Sequence, residues 1–292
     1  MPDADNEFVM EDAVSFEEPV EKKTVKEDVE PEEEDADEVE EVVSIGIPKL
    51  DVMLLGGIPK GFVILVEGTP GSGMELFAKQ FAGAKIEDEK VLYVATNETA
   101  SDVKRVLRQY RWSTDITVDS IAKRYYDTIL VKEMFINKLR REGLTVKEIE
   151  TLGATKGKQF ETKKADFLAE TEYKISTLEP PYRAVIDSLD FFLQQYPPET
   201  VIMTLRTIKA HTQRARGLTL MTMVSGANDA KVESSIRAIA DCIIELEVQK
   251  LASEFENRLI VRKLKNHPDK TAILTYAITE GGITPERVSR IT

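Results

Sequence analysis

An α/β fold built on a mostly parallel, twisted sheet with helices on both faces is the class this sequence predicts, and three observations carry that prediction. Phe62-Val63-Ile64-Leu65-Val66-Glu67 is a short apolar, β-branched run that ends at a glycine-rich loop, Gly68 to Gly73, and the loop leads into Leu76-Phe77-Ala78-Lys79-Gln80-Phe81-Ala82, whose apolar residues fall at helical spacing. Lys90-Val91-Leu92-Tyr93-Val94-Ala95 is a second buried-type strand followed by a polar turn and a helix. Further short apolar runs then alternate with helical stretches down the chain, the pattern that gives parallel strands joined by crossover helices.

Taken in order, the strand over 62–67, the loop and its helix come first, then the strand over 90–95. The turn Thr96-Asn97-Glu98-Thr99 precedes a helix from Ala100 to Tyr110. Ile121–Glu142 reads as helical, with Ile121, Tyr125, Ile129, Phe135 and Leu139 at approximate helical spacing and Lys138, Arg140 and Arg141 near its end, where positive charge complements the helix dipole. Pro180-Pro181 closes this charged middle section. Ala184-Val185-Ile186-Asp187-Ser188 is a strand ending in a carboxylate, followed by helical stretches to Gln195 and from Glu199 to Arg216. Strands are predicted at Leu218–Val224, Cys242–Val248, Leu259–Leu264 and Ala272–Ile278. In such sheets ligands sit beyond the carboxyl ends of the strands, so Glu67–Glu75, Thr96–Thr99 and Asp187 are expected to converge there.

The chain has 292 residues and is 42% hydrophobic, enough for one large domain. Charge is unevenly placed. Residues 1–42 hold 19 Asp and Glu against 3 Lys, a net of −16; the whole chain carries −13, so residues 43–292 are net +3. With few apolar residues and no sustained period, this tail is expected to be disordered, a solvated spacer or an electrostatic shield for a basic surface. The domain proper is expected at 43–292. No apolar run approaches the roughly 20 residues that cross a bilayer, and the acidic start lacks the basic-then-apolar order of an export signal, so a cytoplasmic protein with no membrane contact is expected. Cys242 stands alone in an apolar run and reads as a buried, inert thiol; with only His211 and His267 there is no zinc spacing.

Gly68-Thr69-Pro70-Gly71-Ser72-Gly73-Met74-Glu75 has the glycine spacing of a phosphate-binding P-loop. In G-x-x-x-x-G-K-[ST] the glycines bring backbone N–H groups around phosphates, a Lys reaches the β- and γ-phosphates and a hydroxyl holds Mg²⁺. Met74 stands at the Lys position and Glu75 at the hydroxyl position. A thioether supplies neither charge nor hydrogen bond where phosphoryl transfer needs charge neutralised. Glu75 adds a negative charge where phosphate charge gathers, and one such pair at about 4 Å and an effective dielectric of about 20 costs on the order of 4 kcal/mol before screening. Two compensations are open: Glu75 ligating Mg²⁺ directly, with a Lys from another subunit restoring the charge, or Glu75 lying at the helix N-terminus as a stand-in for phosphate, a place that favours anions by roughly 0.3–1 kcal/mol. The second is favoured, and hydrolysis is expected to suffer more than binding.

These residues resemble the KaiC and RecA-type branch of P-loop ATPases, in particular archaeal KaiC-like proteins with a single ATPase domain. Ile45-Gly46-Ile47-Pro48-Lys49-Leu50-Asp51, Leu54-Leu55-Gly56-Gly57-Ile58-Pro59-Lys60-Gly61, the P-loop, Val91–Val94 followed by Glu98, the Val185–Ser188 strand and a late basic strand through Lys263 and Lys265 carry the resemblance over about residues 43–110 and 180–292. It implies a RecA-like core and binding of ATP and Mg²⁺. Asp187 then matches the metal-holding aspartate of the Walker B strand, and Glu98 matches the second of a pair of glutamates, one of which activates the attacking water, with Asn97 at the first; Glu98 acting alone is the remaining candidate base. An amide cannot act as a general base. Lys263 and Lys265 match basic residues that reach nucleotide in a neighbouring subunit of a ring; the alternative for them is a solvated strand face.

Residues 111–180 fall outside the resemblance and read as a helical insertion or enlarged flank, a packing element or a partner surface. Arg206, Lys209, Gln213 and Arg216 can share a helix face, with Arg214 adding charge, which raises a recombinase-like DNA-binding role. Against it, Ser225-Gly226-Ala227-Asn228-Asp229 has no basic or aromatic residue and the tail repels phosphates, so nucleic acid is the weaker partner. The overall expectation is a regulatory or signalling pseudo-ATPase that binds ATP weakly or not at all, assembled with itself, as a ring for instance, or with an active paralogue.

Overall fold

The computed structural model describes residues 40–145, 147–148, 151, 165–251 and 254–289. The disorder expected for the acidic tail lies outside the described residues up to position 39, as do parts of the expected insertion. Glu40 to Val42, the last three residues assigned to that tail, belong to the folded part. β1 (Val42–Val43) pairs antiparallel with β2 (Ile58–Pro59), and Glu41 forms ion pairs with Lys60 at 2.9 Å and Arg216 at 3.4 Å.

A nine-stranded sheet organises the rest. Its parallel part comprises β3 (Val63–Gly68), β4 (Lys90–Ala95), β5 (Thr117–Ser120), β6 (Tyr182–Asp187), β7 (Leu218–Val224) and β8 (Cys242–Leu251), in the spatial order β8-β3-β7-β6-β4-β5. Three antiparallel strands, β9 (Glu254–Leu264), β10 (Ala272–Thr279) and β11 (Gly282–Ser289), extend the β8 edge. The sheet is therefore mostly parallel, with an antiparallel margin. Strands buried on both faces read as continuous apolar runs, and their alternating side chains feed two cores. Ile64 and Val66 of β3 join a cluster with Phe77, Phe81, Val103 and Leu107; Val63 and Leu65 join the opposite one with Phe167, Phe192, Leu205 and Ile236.

The helices on the first face are α1 (Pro48–Met53), α2 (Met74–Gly83) and α3 (Ala100–Gln109). α3 begins where Thr99 accepts a hydrogen bond from the Asp102 amide, and it buries only Val103 and Leu107, as an amphipathic surface helix does. The expected 121–142 helix is present in three pieces: α4 (Ile121–Tyr125), one π-helical turn over Tyr126–Leu130, and α5 (Val131–Arg141). α6 (Phe167–Ser176), α7 (Leu189–Gln195), α8 (Pro198–Ala215) and α9 (Ala230–Ile239) cover the second face. The segment expected as an insertion or enlarged flank thus supplies two parts of the main body: β5 pairs with β4, and α6 contributes Phe167, Leu168 and Ile175 to the second core. β5 has no apolar run to announce it, because Thr117-Val118-Asp119-Ser120 occupies the sheet edge.

Among the described residues, no helix is long and apolar enough to cross a membrane.

Candidate functional site

Parallel pairing sets the site. Gly68 of β3 lies opposite Val224 of β7, and Ala95 of β4 lies opposite Asp187 of β6, so these strands end together and their loops meet at one margin of the sheet. The P-loop leaves β3 there. Gly68 admits no side chain: a Cβ would come within 2.4 Å of the Leu246 carbonyl oxygen on β8 and 2.7 Å of Ser72 Oγ. Gly73 caps α2 with φ +87°, a left-handed conformation that glycine adopts without penalty. Thr69, Pro70 and Gly71 are exposed, and nothing lies within 4 Å of where a Gly71 Cβ would stand.

Ser72 is buried, its hydroxyl has no partner, and its carbonyl accepts a hydrogen bond from the Tyr276 phenol of β10. Burial holds that phenol up at about 12. A left-handed cap, free helix amides and an orphaned buried hydroxyl together form a cradle that fits an anionic group such as a phosphate.

The side chain that ought to follow the cradle turns the other way. Met74 is 3% exposed and belongs to the same hydrophobic cluster as Tyr276 and Ile283 of the β10–β11 hairpin, which lies against the loop. Glu75 is exposed and lies in the first turn of α2, at the helix N-terminus where it was expected. The physical reason for its exposure is direction: the first turn of α2 faces Met74 into the core, which leaves Glu75 on the solvent side.

A cation is present nonetheless, one helical turn further on. Lys79 of α2 has a side chain only 3% exposed; its Nζ lies 2.8 Å from Glu98 Oε2, 4.0 Å from Asp187 Oδ2 and 3.4 Å from the Glu75 carbonyl oxygen. Asp187 is engaged from its other sides as well. Its Oδ2 accepts from the Tyr93 phenol at 2.5 Å and its Oδ1 from Thr222 Oγ1 at 2.8 Å, while its backbone carbonyl accepts from Thr96 Oγ1 at 3.0 Å. Burial, and then the neighbouring Asp187 carboxylate, hold the Tyr93 phenol well above its ordinary value, so it remains the donor.

Magnesium does not fit this arrangement. Each Asp187 side-chain oxygen already accepts a protein hydrogen bond, and the Lys79 ammonium stands 4.0 Å from Oδ2, where its charge opposes that of a metal ion. No group of three or more His, Cys, Asp or Glu side chains that could hold a metal occurs among the described residues. The carboxylate expected to hold the ion instead belongs to an internal polar cluster.

Of the residues singled out from sequence, Gly68 to Gly73, Glu98 and Asp187 thus meet at one margin, while Met74 and Glu75 diverge. Lys263 and Lys265 sit at the far end of the sheet within this chain. Leu264 pairs with Cys242 at the start of β8, and the Asp241 amide bonds to the Val63 carbonyl at the start of β3, roughly 15–20 Å along the strand from the loop. Lys263 is half-buried, while Lys265 is exposed, as a solvated strand face would have it. Lys263 Nζ donates to the Ala240 carbonyl at 2.6 Å, closing α9, and burial followed by the Lys209 charge pushes it below its usual value; Lys265 Nζ lies 4.0 Å from Asp241 Oδ1. Lys209, one of the candidate DNA-contacting residues, donates to the Ile239 carbonyl at 2.6 Å and to Asp241 Oδ1 at 2.7 Å.

Reading the sequence alone missed Lys79, Tyr93 and Thr222, whereas Thr96 fell within the turn expected at the site. A lysine enclosed by Phe77, Ala78 and Phe81 in a helix packed on a sheet was the available signal for the first.

Comparison with known proteins agrees with this architecture. The family described as "ATPase: KaiC" matches residues 43–286. A UPF0273 protein of Pyrococcus furiosus is 25% identical over 253 residues, 82% of this chain and 92% of that protein; one from Aeropyrum pernix is 25% identical over 263 residues, 85% and 96%. The crystal structure of a KaiC-like protein from Pyrococcus horikoshii superposes with a TM-score of 0.56 at 19% identity, covering 85% of this chain and all of that one, which speaks to the fold. With a family match that spans most of its length and the nine-stranded sheet and glycine loop described above, this chain belongs to the KaiC family of ATPases.

Proposed function

We propose that this protein is a regulatory member of the KaiC-like ATPases that has lost ATP hydrolysis, binds ATP weakly or not at all, and works in the cytoplasm as an assembly with itself or with an active paralogue. The observation that carries the reading is the orientation of α2. The position that would deliver a lysine to the β- and γ-phosphates is a core thioether, and the position that would deliver a hydroxyl to Mg²⁺ is an exposed carboxylate. Phosphoryl transfer depends on countering charge that develops on the phosphates, and neither residue does so. Glu98, the candidate base, is held in an ion pair with Lys79 at 2.8 Å, which draws its charge toward the ammonium.

Calorimetric titration with Mg-ATP, together with phosphate release and solution mass with and without ATP, tests the reading. Weak or absent heats, no steady phosphate release and a mass unchanged by ATP are expected. Sub-micromolar affinity with sustained turnover overturns it. A second reading, an ATPase completed by Lys263 or Lys265 of a neighbouring subunit, is favoured by the open Gly71 and the orphaned Ser72 hydroxyl, which leave the cradle able to receive phosphate. Turnover that rises with protein concentration and falls on Lys265→Ala would mark that case.

A further inference from the structure

The lysine of α2 brings an ammonium group to the place where the carboxylates that follow β4 and end β6 converge. Lys79 Nζ is 2.8 Å from Glu98 Oε2, which follows β4, and 4.0 Å from Asp187 Oδ2, which ends β6. With 3% of its side chain exposed, such a group is tolerated only because these partners offset its desolvation. The third neighbour is the Glu75 carbonyl, at 3.4 Å, so the ammonium lies beneath the first turn of the helix that follows the phosphate cradle. A divalent ion placed against Asp187 would share its oxygens with the Tyr93 and Thr222 donors and stand beside a like charge, the Lys79 ammonium 4.0 Å from Oδ2.

We propose that the Lys79 ammonium is a built-in counter-cation that takes the place of a divalent metal ion in this pocket, so that the protein recruits none there. The charge the pocket needs is covalently part of the chain. Magnesium availability then has no hold on the folded state of this site. This goes beyond the loss of hydrolysis, and each can fail without the other.

The test uses the full chain, no nucleotide and Mn²⁺ as probe, followed by electron paramagnetic resonance for binding and by thermal unfolding in EDTA against millimolar Mn²⁺. The acidic N-terminal segment gathers Mn²⁺ diffusely in every variant, so the comparison is between variants. Wild type and Lys79→Arg are expected to show no site beyond that background and no Mn²⁺-dependent rise in unfolding midpoint. Lys79→Ala, which leaves Glu98 and Asp187 facing each other across an emptied space, is expected to unfold earlier in EDTA, to gain Mn²⁺ affinity at least tenfold and to recover stability with the metal. Lys79→Ala combined with Asp187→Asn is expected to lose that gain. Should the alanine variant not fold in EDTA, Lys79→Gln, which keeps most of the volume, is read in the same way. The proposal is overturned if wild type binds Mn²⁺ as tightly as Lys79→Ala, or if no charge-removing variant gains a site. ATP turnover by the wild type bears on the preceding reading and leaves this comparison intact.

Discussion

Restoring the missing lysine should damage this protein before it helps it. In Met74→Lys the new side chain has two choices. It can stay where Met74 lies, 3% exposed among Tyr276, Ile283 and Phe77, and bury an ammonium without a partner, at an effective cost of several kcal/mol. Or it can swing out toward the cradle and leave a methionine-sized hole, a loss of about 2–5 kcal/mol by analogy with large-to-small core substitutions. Both routes exceed about 2 kcal/mol, which for a domain of some 250 residues lowers the unfolding midpoint by about 4–8 °C. The assay is thermal unfolding by circular dichroism with Mg-ATP titration in parallel. A midpoint within 1–2 °C of wild type accompanied by new Mg-ATP binding would refute the reasoning, because it would mean that the Met74 side chain was never part of the core.

Other perturbations test the same framework. Glu89→Gln leaves Arg183, fully buried and bound to Glu89 Oε2 at 2.6 Å, without its counter-charge, and should cost about 3–5 kcal/mol in denaturant unfolding, more than a joint replacement of both residues by apolar ones. Gly68→Ala forces a Cβ against the Leu246 carbonyl, backbone that cannot swing aside, and should destabilise by about 1–3 kcal/mol in urea titration. Cys242, whose thiol burial raises to about 12, should resist a disulfide reagent in the native state at pH 8 and react on unfolding; rapid native labelling would contradict its burial. Tyr276 has a folded value near 12 against 10 for a free phenol. Its contribution is complete below pH 10 and is lost as pH rises through about 12, so Tyr276→Phe should lessen the fall in stability over that window, read from unfolding midpoints.

Predominantly apolar segments were the readable part of the chain. β4 spans Lys90–Ala95 and β7 spans Leu218–Val224, as their apolar runs predict, because a strand covered on both faces is apolar at most of its positions. β11 escaped detection: Gly282-Ile283-Thr284-Pro285-Glu286 looks like a turn, yet proline is acceptable on an edge strand, and the pairing with β10 skips Glu286, next to that proline. α1 and β5 are likewise short elements stabilised by what they pack against rather than by their own pattern.

The loop's spacing announced a phosphate cradle, and the identities of Met74 and Glu75 announced that its usual chemistry was gone; both are local properties of eight consecutive residues. Which way those two side chains point was decided by the β10–β11 hairpin packing against the loop, a contact between segments some two hundred positions apart. The same holds for Lys79. Its apolar neighbours Phe77, Ala78 and Phe81 hint that it is enclosed, but only the parallel register that brings the end of β6 beside the end of β4 sets two carboxylates around its ammonium. Local sequence determined where backbone N–H groups gather, whereas long-range pairing determined which charge meets them.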